Sequence, residues 1–162
     1  MNIAPIGLIC GFLTFAADAE PKIQVVVDLT GAAAAEAKAF AASSGDRYPF
    51  PATFRDFKKG FVIELGKEMQ DPVPKQGKRF VGVILSVHAK LAEDRVAVDG
   101  GFFVVRFGAM KQAVVPGEPP NAFDEWIKNF KTSTELDKEL VIDLSRDLSA
   151  PATLKLTFSL IP

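Results

Sequence analysis

The apolar residues of this chain recur mostly at every second position. In KIQVVVDLT, Ile23, Val25, Val27 and Leu29 share one side of an extended backbone, opposite Gln24, Asp28 and Thr30. Strict alternation of this kind predicts a half-buried strand. RFVGVILSVHAKL gives the longest such row, Val81, Val83, Leu85, Val87, Ala89 and Leu91, with Phe80, Gly82, Ile84, Ser86, His88 and Lys90 on the other face. ATLKLTFSLI closes the chain in the same way, with Leu154, Leu156, Phe158 and Leu160 against Thr153, Lys155, Thr157 and Ser159, and GFVIELG and KELVIDL are shorter predicted strands.

Other stretches depart from the period of two. GAAAAEAKAFAASSG predicts an Ala-rich helix from about Ala32 to Ala42, ended by Ser-Ser-Gly. Phe123, Trp126, Ile127 and Phe130 recur at i, i+3, i+4 and i+7. Asn121 stands ready to cap them, acids lie early and lysines late, and a second, amphipathic helix packed on the sheet is predicted there. In RVAVDGGFFVVRF, two apolar runs flank Asp99-Gly100-Gly101, which predicts a tight hairpin at those residues. DRYPFPATFRDF, with Pro49 and Pro51, reads as an ordered loop, and KEMQDPVPKQGK as a polar one.

The opening stretch, Ile6 to Ala17, has apolar residues on both faces. Ala17-Asp18-Ala19 would serve as a leader-peptide cleavage site, but no Lys or Arg precedes Lys22. A buried strand retained in the mature protein is the expectation, and the apolar run falls short of the ~20 residues of a membrane span. Repeated strands, closely spaced turns and few helical segments predict a single mainly β domain over residues 1–162. Its expected form is an antiparallel β-sandwich or barrel with one or two short helices packed on it.

Composition narrows the function. The 162 residues carry 19 Lys plus Arg against 20 Asp plus Glu, a net charge of -1, so no global field draws nucleic acid to the surface. One cysteine, Cys10, excludes an internal disulfide, and with one histidine the chain lacks a Cys/His zinc cage. No phosphate-loop, dinucleotide, nucleophile-elbow or zincin motif occurs. His88 beside Ser86 on one strand face, and the close acids Asp18/Glu20, Glu93/Asp94, Asp124/Glu125 and Asp143/Asp147, have ordinary surface explanations. The expectation is therefore a protein that is not an enzyme and needs no cofactor or metal.

The 14 phenylalanines, against one Trp and one Tyr, imply either a thick core or further surface buried in a subunit contact, and the second is the expectation. The reading that fits is a non-catalytic structural subunit of a homo-oligomeric assembly, of viral or phage particle type, with itself as partner and an assembled particle or the cytoplasm as its place. The alternative is a single-stranded nucleic-acid-binding β-barrel module. In FRDFKKGF and KQGKRF, the rings of Phe54, Phe57 and Phe61 interleave with Arg55, Lys58 and Lys59, and Lys78 and Arg79 add further charge. Cations for phosphates beside aromatic faces for bases are what such a groove requires. A secreted ligand-binding domain is the third reading and depends on cleavage of the opening stretch.

Overall fold

A computed structural model describes residues 22–56, 60–73, 76–112, 116, 121–145 and 150–161. The opening stretch, including the expected strand and Cys10, lies outside them. Among the described residues, eight strands form two antiparallel four-stranded sheets. Sheet A contains β1 (Ile23–Thr30), β2 (Ala52–Arg55), β7 (Glu139–Asp143) and β8 (Ala152–Leu160), in the order β2-β1-β8-β7. Sheet B is the meander β3 (Phe61–Gln70), β4 (Lys78–Ala92), β5 (Arg95–Lys111) and β6 (Asn121–Glu135). The architecture is thus the predicted sandwich, with one helix, α1 (Gly31–Ser44), packed into it.

The core is built from alternate residues of both sheets. Val25, Val27 and Leu29 of β1, with Leu154, Leu156 and Phe158 of β8, face Val83, Leu85 and Val87 of β4 and Val96, Val98, Phe102 and Val104 of β5. β1 and β8 pair without a slip from Ile23 opposite Leu160 to Thr30 opposite Thr153. A one-residue shift would turn every one of these side chains out to water, so burial fixes the register.

The two layers differ in length. Sheet B's 15- to 17-residue strands run for about 50 Å at ~3.3 Å per residue, about twice the length of β1. α1 takes up part of the difference. Its Ala33, Ala37 and Ala41 form one buried stripe at i, i+4 and i+8, and these small side chains let the helix lie close to sheet B. Gly45, in the left-handed conformation, ends it and donates its N–H to the Ala41 carbonyl.

Three expectations are corrected. Residues 123–130 are strand, not helix: β6 pairs with β5 from Arg95 opposite Glu135 to Phe107 opposite Phe123, and Asn121 accepts a bond from the Phe123 N–H (2.9 Å) instead of capping a helix. The ladder offered by β5 and the β-favouring residues Ile127, Thr132 and Thr134 outweigh the helical spacing. The hairpin is not at Asp99–Gly101 either, because β5 runs straight through those residues. The turn is Glu93-Asp94, with Glu93 at φ 56, and Ala92 pairs with Arg95 across it.

The glycines make room for neighbours. A Cβ on Gly100 would strike the Ser86 carbonyl oxygen at 2.1 Å and Phe130 Cζ at 2.8 Å, and one on Gly101 would strike Phe103 Cε2 at 2.6 Å. Finally, the Pro49–Pro51 stretch leads into β2 rather than continuing as loop, pairing Ala52–Arg55 with Val27–Gln24.

Candidate assembly surface

The registers of sheet B define its outer face row by row. Glu64, Ile84, Phe103 and Ile127 lie side by side across the four strands. The next row toward one end is Gly66, Gly82, Val105 and Glu125, and beyond it Phe107 stands opposite Phe123. Toward the other end come Val62, Ser86, Gly101 and Asn129, then His88, Asp99 and Lys131, then Lys90, Ala97 and Ser133. The rows from Val62 to Phe107 therefore carry the large apolar side chains of the face, bordered by Glu64 and Glu125, and the rows beyond Val62 are polar. Val62, Ile127 and Phe107 are 56%, 53% and 46% exposed, unusual for large apolar side chains on one contiguous surface.

Glycines let rings of this face lie against the backbone. A Cβ on Gly66 or Gly82 would come within 3.0 or 2.9 Å of the Phe80 ring, so that ring lies down over the paired glycines. Phe103 lies over Gly101 in the same way. Charges ring the patch: Glu64 and Glu68 on β3, and Glu125 on β6, bound to the Arg79 guanidinium, which also sits 4.5 Å over the Phe123 ring.

The residues expected to form a nucleic-acid groove are placed as follows. Phe54 and Phe61 come together, but against each other: their rings stack at 4.1 Å and 7°, and Phe61 is only 8% exposed. Both pack on the core, so their faces are spent. Arg55 is exposed on β2 in sheet A; Lys78 is exposed, and Arg79 is engaged with Glu125, at the start of β4 in sheet B. Phe61 pairs with Val87, eight residues along β4 from Arg79, or about 26 Å. Phe57, Lys58 and Lys59 lie outside the described residues. The two basic segments thus flank no common groove among the described residues.

The other candidate groups have local roles. Ser86 and His88 share the outer face of β4, the first half-buried and the second exposed. Glu93 and Asp94 make the hairpin turn, and Asp124 and Glu125 point to opposite faces of β6, each with its own arginine. Hydrogen bonds from Ser145 hold the Asp143 carboxyl below its usual range. No cluster of three or more His, Cys, Asp or Glu suited to a metal occurs among the described residues, and no helix among them is long and apolar enough to cross a membrane.

Two groupings carry no local signature in the sequence: the Val62, Ile84, Phe103, Ile127 surface, which exists only once the register is known, and an ion pair between Glu36 of α1 and Arg106 of β5, seventy positions apart. Their hydrogen bonding raises the Arg106 pKa further, with burial opposing. Compared with known protein families, characterised proteins and solved structures, this chain matches none.

Proposed function

We propose that this protein is a non-catalytic subunit that assembles with copies of itself through the outer face of sheet B. The observation that carries the reading is the apolar patch on that face, in which Val62 and Ile127 stand more than half exposed. Leaving such a patch in water forgoes roughly 25 cal/mol per Å², which a second copy recovers.

A second copy can cover the patch by two-fold symmetry: an axis lying across the strands through the row of Ile84, Phe103 and Ile127 would lay those residues of one copy over the same residues of the other. Faces stacked this way would sit ~10 Å apart. A two-fold contact alone gives a dimer. A closed shell of viral or phage type needs a second contact, for which the border strands of sheet B, β3 and the 15-residue β6, offer edges.

Light scattering on the purified chain tests the reading. A dimer or larger homogeneous particle is expected, and Val62→Glu with Ile127→Glu should give a monomer whose circular dichroism is unchanged. A wild-type monomer at high concentration would refute self-assembly. Titration of a labelled single strand should show nothing tighter than the non-specific range of about 10⁻⁴ to 10⁻⁶ M; submicromolar binding would favour the nucleic-acid reading instead.

A further inference from the structure

On the opposite side of β5 and β6 from the assembly face, where the first turns of α1 approach sheet B, lies a cavity of about 190 Å³. Its deep wall is dry: Phe102, Val104, Leu144 and Ala33 are each at most 3% exposed. The half-buried lining residues Trp126, Glu36 and Arg106 mark its mouth. Trp126 stands edge-on to Phe102 at 5.7 Å and 70°, and Arg106 Nε and Nη2 donate to the two carboxylate oxygens of Glu36.

These groups define what the cavity accepts. An engineered apolar cavity of about 150 Å³ holds benzene, so this one has room for a ring and a short arm. Phe102 and Trp126 put two aromatic rings in the lining, on which a further ring packs edge-to-face or offset. The charges that line the cavity cancel. Glu36 and Arg106 form one ion pair with no net charge, and Asp124, whose Oδ2 lies 3.8 Å from Arg106 Nη1, stands outside the lining. A charged ligand would give up water against these walls and meet no unbalanced counter-charge, a loss that an uncharged one avoids. Glu36 keeps acceptor capacity for a neutral donor, since a carboxylate has about four lone-pair sites and Arg106 occupies only part of them.

We propose that the cavity is a binding site for a small uncharged aromatic molecule with a hydroxyl on a short arm, its ring against Phe102 and Trp126 and its hydroxyl donating to Glu36. The site is separate from the assembly face and does not depend on it.

The single tryptophan makes the test direct, since selectively excited indole fluorescence of the intact chain reports Trp126 alone. The probes are 2-phenylethanol, its charged counterparts 2-phenylethylamine and 3-phenylpropanoate, and its saturated counterpart 2-cyclohexylethanol. The phenyl alcohol should change the emission saturably and bind about tenfold more tightly than either ion. The cyclohexyl alcohol, which lacks an aromatic face, should bind about threefold more weakly than the phenyl one. Ala33→Leu fills the cavity and should abolish the response; Ala32→Leu, on a less buried part of the lining, serves if the first variant fails to fold. Arg106→Gln leaves the Glu36 charge unbalanced, and with circular dichroism unchanged it should make the amine the tighter of the two ions by about tenfold.

No saturation by roughly 10 mM, the weakest affinity expected for about nine heavy atoms, would overturn the site. Either ion binding the native protein as tightly as the alcohol would refute the neutral mouth, and a cyclohexyl alcohol as tight as the phenyl one would refute the choice of an aromatic ring. An unchanged response in the folded alanine variant, or ion selectivity indifferent to Arg106→Gln, would place the ligand elsewhere.

Discussion

The two sheets are alike on their inner faces and unlike on their outer ones. Sheet A turns Gln24, Asp28 and Thr30 of β1 and Thr153, Lys155, Thr157 and Ser159 of β8 to water, and it links them across the strands: Thr30 shares a hydroxyl hydrogen bond with Thr153, and Lys155 Nζ lies 3.2 Å from Glu139. Its exposed Val26 and Val141 are kept apart by β8. Sheet B instead joins Val62, Ile84, Phe103, Val105 and Ile127 into one surface. The core needs only one residue in two from each strand, so the other residue is free to serve something else. In sheet A it is polar and linked across the strands, and in sheet B we assign it to assembly.

The sharpest test uses two neighbours. Phe102 points inward at 1% exposure and Phe103 outward, one residue apart on the same strand. Phe102→Ala should cost about 3–5 kcal/mol in urea unfolding, as deletion of a buried ring does, whereas Phe103→Ala should cost the monomer a small part of that and weaken self-association instead. Equal losses in monomer stability would break the division between inner and outer faces.

Next in size is the effect on association itself. Val62→Glu with Ile127→Glu places unpaired charge in the proposed contact and should weaken it by about 2–4 kcal/mol, or roughly 30- to 1000-fold in Kd by sedimentation. Val26→Glu with Val141→Glu is the matched change on sheet A and should leave association where it was. Loss of assembly in both pairs would point to general destabilisation rather than to one face.

A smaller effect tests the glycines of the patch. A Cβ on Gly82 would meet the Leu65 carbonyl at 2.2 Å and lift the Phe80 ring, so Gly82→Ala should cost about 1–3 kcal/mol and lower assembly with it. Full retention of both would show that the glycines do not hold the rings of this face against the backbone.

The same contrast explains what could be read in the sequence. β1, β4 and β8 were legible because their strongest apolar row lies on one face, and α1 because its alanines favour helix at every position. β6 was not. Trp126 and Phe130 pack on the main core from one face of β6, and Phe123 and Ile127 share the other face; overlaid, two apolar pairs at i, i+4 on opposite faces of a strand imitate the i, i+3, i+4, i+7 stripe of a helix. Of that second pair, Ile127 is 53% exposed on the outer face of sheet B, while Phe123 is buried in a small cluster with Val81 and Ala122. Gly100 and Gly101 misled for a related reason, since they make room for neighbours rather than for a turn. The Glu36–Arg106 mouth could not be read at all, because only the packing of α1 on β5 brings those charges together.

The smallest expected effect reads the polar face electrostatically. Tyr48 is the single tyrosine, half-buried against the core with the Lys38 ammonium 5.2 Å from its ring centre. Burial first, and then the negative charge of Asp28 on sheet A's outer face, raise its pKa above the usual 10.0. The fold thus holds the phenol's proton more tightly than the unfolded chain does. The resulting stability is complete below the ordinary value and is lost as pH rises through the raised one. Titration of tyrosinate absorbance should give a midpoint above 10.0 in the native protein. Asp28→Asn should bring it partway down, since burial, the larger cause, remains. A midpoint that does not move would mean that water screens Asp28 from Tyr48, and that the charges on this face act on the solvent alone.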